Sequence, residues 1–345
     1  MNAMLVVDRA ATERDRDDSG YPIGVPYIML TAKGEWKAAV EEARHFSFEQ
    51  LRKNRADLVL KPVVTPTDIL EMPLGICYDV VHRIFLATDS GGGKIIFFNH
   101  AGKKVGIFPG FYYPSAVAIL EPGSHFAVLD NYGICSIDFA TNAKQAIVTG
   151  VNATFRGLAV LPDGNIVTID HYNRMILVFS ATSNNQILTW LEYPFAFGNP
   201  CWITSRGDTF FVTDLGVNTL SVYSYSSKTN SIVAVSARNT GSNGSHGLLH
   251  TQFMSGVVVD RTDTLLVADA SGHSLYLVSS SGSILQSIPV SDGSQFPYAA
   301  GMAISPCGRL MVACRRGYGV RMYDLIPQDT EEEKMRKALS NATIK

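Results

Sequence analysis

The chain alternates between short apolar runs and polar turns, and one arrangement of them recurs six times. Each copy opens with an apolar run, passes a polar turn, enters a second run that ends in Asp, crosses a short polar loop and closes on a third run. The copies read LGICYDVVHRIFLATDSGGGKIIFF from Leu74, AVAILEPGSHFAVLDNYGICSIDF from Ala116, RGLAVLPDGNIVTIDHYNRMILVF from Arg156, CWITSRGDTFFVTDLGVNTLSVYSY from Cys201, SGVVVDRTDTLLVADASGHSLYLV from Ser255 and AGMAISPCGRLMVACRRGYGVRMYDL from Ala300. The runs are rich in Val, Ile, Leu and Phe and bounded by Gly, Pro, Asn or Asp, as strands are. They lack helical periodicity. The residues closing the second run are Asp89, Asp130, Asp170, Asp214 and Asp269, with Arg315 in the sixth copy, at spacings of 41, 40, 44, 55 and 46. A pitch of about 40–45 residues with three or four strands per unit predicts propeller blades. The widest spacing holds the insertion SARNTGSNGSHGLLH, which reads as a long loop.

The sixth copy ends near Leu325, too soon for a fourth strand, and the segment DLVLKPVV from Asp57 can supply one. That pairing closes the ring and removes two free sheet edges. The expected fold is therefore all-β: a six-bladed propeller at 57–326, after a partly helical extension at 1–56 and before a charged tail at 327–345. In the extension, Trp36, Val40 and Ala43 share a helical face, and Ser47-Phe48-Glu49-Gln50 has the form of a capping box. This stretch is too short for sustained heptads, so a helical plug docked on the ring is favoured over a coiled-coil stub.

Composition narrows the function classes. The 345 residues are 46% hydrophobic and 17% charged, an ordinary globular balance. With 29 Lys and Arg against 31 Asp and Glu, the net charge of −2 argues against binding nucleic acid or membranes through bulk charge. No apolar stretch approaches the length of a membrane span, and no secretory apolar region follows the N-terminal Met. The five cysteines, at 77, 135, 201, 307 and 314, stand singly and match no zinc-site spacing. A reducing, cytoplasmic setting is expected.

Five acids at one repeat position read as a scaffold device, because Asp bonds nearby backbone N–H groups at turns. His246 and His250 lie four apart in a Gly/Ser-rich run without a third ligand. Gly91-Gly92-Gly93-Lys94 lacks the spacing of a phosphate-binding loop. No metal, cofactor or catalytic set is expected. The loops after each second run share a propeller face with the loops between blades, and basic and aromatic residues interleave there. The candidate site is Tyr113, Phe155, Arg156, Tyr172, Arg174, Arg315, Arg316 and Tyr318. Residues 61–326 hold 16 basic and 17 acidic side chains, so a cationic patch must arise by segregation. Adjacent Arg315 and Arg316 cannot both enter one core face. Arginine with aromatics suits single-stranded RNA, through phosphate contacts and base stacking. It also suits protein recognition.

The repeat, with its opening Gly-Ile or Gly-Leu, strand-ending Asp and later Arg-Ile or Arg-Met before a final apolar run, resembles the NHL repeat. The best match runs from Phe155-Arg156-Gly157-Leu158 through Asp170, Asn173, Arg174, Met175, Ile176 and Phe179. Next comes Leu74-Gly75-Ile76 through Asp89 and Ile95-Ile96-Phe97-Phe98. About four-fifths of the chain is similar to the C-terminal domain of tripartite-motif NHL proteins. The sixth copy departs at the Asp position, and the second and fourth lack the opening Gly-Ile. The resemblance implies single-stranded RNA on this rim and a role in post-transcriptional regulation, and it moves RNA ahead of protein docking. Such relatives carry RING, B-box and coiled-coil segments, whose cysteine spacing is missing here, so a docking propeller serving a separate ubiquitin ligase is the alternative. Six-bladed propellers also include calcium-dependent lactonases and zinc-dependent amidating lyases. Glu71-Met72-Pro73 and Asn199-Pro200 fall where channel ligands could sit, and their oxygens suit calcium. The expectation is a non-catalytic scaffold with an RNA or protein partner, and neither DNA nor a membrane.

Overall fold

The computed structural model describes residues 33–52, 57–63, 70–149, 155–183, 185–239, 251–315 and 319–328. Most of the Ser236–His250 insertion, the charged tail from 329 onward, and Arg316 and Tyr318 lie outside the described residues. Among the described residues the apolar runs form 24 strands, numbered here in chain order, in six four-stranded antiparallel sheets. The molecule is a six-bladed β-propeller.

Blade one is β2 (Pro73–Asp79), β3 (Ile84–Asp89), β4 (Lys94–Asn99) and β5 (Lys104–Pro109). Blade two is β6 (Ala116–Glu121), β7 (His125–Asp130), β8 (Gly133–Asp138) and β9 (Lys144–Thr149). Blade three is β10 (Phe155–Val160), β11 (Ile166–Asp170), β12 (Met175–Phe179) and β13 (Ile187–Glu192). Blade four is β14 (Pro200–Arg206), β15 (Thr209–Asp214), β16 (Thr219–Ser226) and β17 (Ser231–Asn239). Blade five is β18 (Met254–Val259), β19 (Leu265–Asp269), β20 (Ser274–Val278) and β21 (Ile284–Ile288). Blade six has β22 (Ala299–Ile304), β23 (Arg309–Cys314) and β24 (Gly319–Pro327), and its outer strand is β1 (Leu58–Pro62).

Middle strands such as β3 and β11 are buried along their whole length, because each blade packs on neighbours with both faces. That is why the sequence shows continuous apolar runs where a half-exposed sheet would alternate. Phe85 and Phe98 of blade one meet Met311 and Met322 of blade six, while Ile95 and Phe97 meet Phe126 and Val128 of blade two. The first strands of adjacent blades lie side by side around the whole ring, β22 beside β2 included. They crowd at the axis, which accounts for the glycine that opens several repeats. A Cβ on Gly301 would stand 2.4 Å from the Leu74 carbonyl oxygen, and one on Gly256 2.5 Å from that of Ala300.

β1 pairs antiparallel with β24, from Leu58 opposite Pro327 to Pro62 opposite Tyr323. It is also clamped to blade five. The Leu60 N–H donates to the Pro289 carbonyl at 2.9 Å. The Gln286 side chain bonds both backbone groups of Leu58, accepting at 2.9 Å and donating at 2.6 Å. The short helix α2 (Phe48–Leu51) follows α1 (Lys33–His45) and carries the capping box, Ser47 and Gln50 each bonding the other's backbone. Phe46 and Phe48 sink into the cluster around Leu58, Leu60, Leu277 and Leu325. Buried Asp260 accepts the Phe48 N–H at 2.7 Å. The stretch Phe46–Leu51 thus packs on blades five and six. No helix among the described residues is long and apolar enough to cross a membrane.

Replacing the fully buried Leu60 by Ala hollows the core at the closure and should cost about 2–5 kcal/mol of unfolding free energy. Denaturant titration followed by tryptophan fluorescence checks this, and deletion through residue 63 should lower stability further than the point change.

Candidate ligand-binding face

Loops between blades and turns joining second to third strands meet at one end of the axis, around a cavity of about 410 Å³. The repeated aspartates build this end. Asp214 accepts the N–H groups of Gly198 at 2.9 Å, Asn199 at 2.7 Å, Gly216 at 2.8 Å and Val217 at 3.2 Å. Asp269 accepts from Gln252 at 2.8 Å, Phe253 at 2.9 Å and Gly272 at 2.9 Å. Asp89 holds Met72 at 3.0 Å, and Asp130 holds Tyr112 at 3.2 Å and Tyr132 at 2.8 Å. Each carboxylate ties the loop entering a blade to the turn inside it, so these acids are structural fasteners. The sequence alignment of Arg315 with these acids is shifted by one: in blade six Cys314 holds the position, opposite Ala299 as Asp269 is opposite Met254 and Asp170 opposite Phe155. Arg315 is the next residue, and its N–H donates to the Tyr298 carbonyl at 3.1 Å, as Asn131, the residue after Asp130, donates to Tyr112 at 2.8 Å in blade two. The Cys314 thiol donates to the Val312 carbonyl at 3.6 Å and takes no part in fastening.

Three of the expected site residues converge at the mouth. Tyr113, Arg156 and Arg315 line the cavity with Asn131, Asn199, Trp202, Phe253 and Tyr298. Among the described residues that line it, Arg156 and Arg315 are the charged side chains, and no carboxylate joins them. Both lower the pKa of nearby Cys201, but burial is the larger effect and pushes that thiol up to about 11.

Tyr172 and Arg174 lie off the mouth, in the β11–β12 turn at the rim of blade three. Tyr172 is 79% exposed. Arg174 takes a positive φ of 57° and sets its guanidinium over the Phe197 ring, 5.0 Å from the centroid. The expectation for Phe155 is corrected. It begins β10, its ring is buried against Phe179 at 5.7 Å, and it offers no face to a ligand.

A tyrosine group at blades one and two adds surface that the candidate set held only in part. Tyr112 stacks on Tyr132 at 5.0 Å and meets Tyr113 edge-on at 4.9 Å. All three are exposed. Their signal was the clustering of Tyr112, Tyr113 and Tyr132 in loops of the same face. Trp202 stands in the fourth repeat where Gly75 and Gly157 stand in the first and third, and Cys201 lines the mouth from the position of Leu74 and Arg156. Among the described residues no group of three or more His, Cys, Asp and Glu side chains is placed to hold a metal ion.

No family model matches the chain, and no curated protein matches its sequence. Its likeness to solved structures is extensive. A gluconolactonase from Xanthomonas campestris is 15% identical with a TM-score of 0.58, over 81% of this chain and 93% of that one. Regucalcin, a calcium-binding protein from Agrobacterium tumefaciens, is 15% identical with a TM-score of 0.58, over 78% and 97%. An auxiliary nutrient-binding protein from Bacteroides ovatus is 12% identical with a TM-score of 0.64, over 80% and 78%. These likenesses support the propeller fold, and the proteins named include both an enzyme and binding proteins.

Replacing Asp214 by Ala strands several backbone donors at once and should destabilise the ring by at least about 2 kcal/mol. Thermal melting of the variant beside wild type measures the loss.

Proposed function

We propose that the chain is a non-catalytic binding propeller whose mouth and rim take single-stranded RNA. The observation that carries this reading is the pair of arginines, Arg156 and Arg315, facing one cavity whose described lining has no carboxylate. Such a site attracts an anion. The exposed tyrosines around it provide stacking planes, which every nucleobase can use. Phosphate at the arginines and bases on Tyr113, Tyr172 and the Tyr112–Tyr132 pair would employ both features together. The resemblance to NHL repeats supports RNA over a docked protein, and the free thiols suit a cytoplasmic setting.

A second reading is a small organic anion, such as a sugar acid, held inside the mouth. The cavity volume of about 410 Å³ favours it, because that is the size of a small-molecule site. The gluconolactonase among the structural neighbours gives that reading a substrate class to test.

Filter binding of a random single-stranded RNA pool across a salt series separates the two. Wild type should bind RNA, and the double change Arg156→Ala, Arg315→Ala should weaken it and flatten the salt slope by about 0.7 for each phosphate no longer neutralised. Tyr172→Ala should cost about 1–3 kcal/mol. Lys228→Ala, in the β16–β17 turn on the opposite face, should change little. If wild type binds RNA no tighter than the double variant at low salt, the RNA reading falls. Calorimetry with gluconate and gluconolactone then tests the second reading, and failure of both leaves protein docking.

A further inference from the structure

Away from the mouth, at the opposite end of blades one and six, a thiol, an imidazole and a phenol stand in line across the seam. Cys307 lies exposed in the β22–β23 turn, with its Sγ 3.8 Å from Nδ1 of His100 in the β4–β5 turn. Nε2 of His100 is 2.7 Å from the Tyr78 hydroxyl. The imidazole is fixed from several sides. It packs beside the rings of Tyr78 at 5.3 Å and Phe85 at 5.8 Å, and the His100 carbonyl accepts a hydrogen bond from the Arg309 guanidinium. Arg309 is itself held by Asp324, at 2.6 Å.

The repeat reveals what is unusual about Cys307. Its turn, Ser305-Pro306-Cys307-Gly308-Arg309, matches Leu161-Pro162-Asp163-Gly164-Asn165 of blade three bond for bond. Ser305 N–H donates to the Arg309 carbonyl at 2.8 Å, as Leu161 does to Asn165 at 2.8 Å, and Gly308 donates to Ser305 at 2.9 Å, as Gly164 does to Leu161 at 2.9 Å. In blade three the Asp163 carboxylate accepts the Asn165 N–H at 3.0 Å. Blade six puts a thiol where the blade-three turn holds an anion. The Ser305 hydroxyl stands 3.1 Å from the sulfur.

We propose that the Cys307–His100–Tyr78 cluster is a reactive-thiol site, at which Cys307 exchanges with small disulfides and becomes reversibly S-thiolated. In the resting state the Cys307 S–H donates to Nδ1, and Nε2–H donates to the Tyr78 oxygen. Transfer of the proton to Nδ1 gives a thiolate beside an imidazolium, with the Tyr78 oxygen still accepting from Nε2–H. The thiolate attacks one sulfur of the incoming disulfide, a new S–S bond forms to Cys307, and the old S–S bond breaks. Its electron pair leaves on the second sulfur, which takes the proton back from His100 or from water. One thiol and one disulfide enter, and one thiol and one mixed disulfide leave. A small disulfide needs no binding pocket, which suits an exposed turn.

The electrostatics agree with the geometry. The bond to His100 is the largest of the influences that bring the Cys307 thiol down to about 7, with Ser305 and the Arg309 N–H adding to it against a raising effect of burial. The other thiols move the opposite way. Burial pushes Cys135 up to about 12 and Cys201 and Cys314 up to about 11, and it raises Cys77 as well.

The test is S-thiolation of the full chain by glutathione disulfide, quenched over time and mapped by mass spectrometry between pH 6 and 10. Wild type should react first at Cys307, with a rate that levels off above about pH 7, where an ordinary thiol keeps rising through about 8.5. His100→Asn should return the thiol to ordinary behaviour. At pH 7 the larger thiolate fraction outweighs the lower nucleophilicity that accompanies a lower pKa, so the variant should be about threefold slower. Above pH 9 both thiols are ionised and the variant should be the faster by about fivefold, so the two rate profiles cross. Parallel profiles, or first modification elsewhere, would overturn the assignment. The wild-type profile alone decides the matter should the variant fail to fold, because a rate still rising through pH 8.5 is that of an unassisted thiol.

Discussion

The pairing of β1 with β24 is the constraint on which the rest of the molecule hangs. Six sheets packed face to face leave no free flank only when the ring is complete, and blade six is complete only with a strand from before blade one. Leu58 and Leu60 then bury against blades five and six, and the same cluster receives Phe46 and Phe48. The mouth depends on closure as well. Arg156 belongs to blade three and Arg315 to blade six, so they face each other across the axis and their separation is set by the circumference of the ring. An open ring would splay them, whatever the stability of each blade.

Within the closed ring the aspartates do the finer positioning. Asp214 and Asp269 fasten backbone on both sides of the mouth, so its shape is held by charge-assisted bonds to main chain, which are the stronger kind. The one described blade without such an acid is the blade that carries Arg315. Cys314 stands there in place of the acid, and the guanidinium reaches the cavity from the next residue, the position from which Ser90, Asn131 and Leu215 line it in other blades. At the other end Cys307 stands where the equivalent turn of blade three has Asp163.

The architecture was legible because its causes are local and repeated. Strand-forming runs, turn residues and a strand-ending acid recur at one pitch, and the need to cover an edge identified DLVLKPVV as the closing piece. Tyr113, Arg156 and Arg315 were legible as a group because propeller topology sends the loops of Tyr113 and Arg315, and the head of β10 that carries Arg156, to one end. Phe155 was misjudged because its position at the head of a strand was read as part of the loop before it. Its counterparts Met254 and Ala299, which also open innermost strands opposite the end of the second strand, are buried too. The cluster at Cys307 could not be read, since His100 and Cys307 are separated by 207 positions and meet only through closure. What could have been noticed is the thiol in SPCGR beside the carboxylate in LPDGN.

Closure also imposes an order of events on synthesis. β1 leaves the ribosome ahead of every blade, and its partner β24 is the last of the described strands to be made. At roughly 5–20 residues per second, Leu58 waits about 15 to 55 s for Pro327. Throughout that interval Leu58, Val59 and Leu60 form an apolar strand with no blade to join, and the nascent chain carries an adhesive end. Lys61 and Pro62, a charge and a residue without an N–H, follow directly. They are the kind of residues that discourage edge-to-edge pairing with other chains, and they stay exposed in the finished ring. The sequence of β1 therefore answers to the unfinished protein as well as to the finished one.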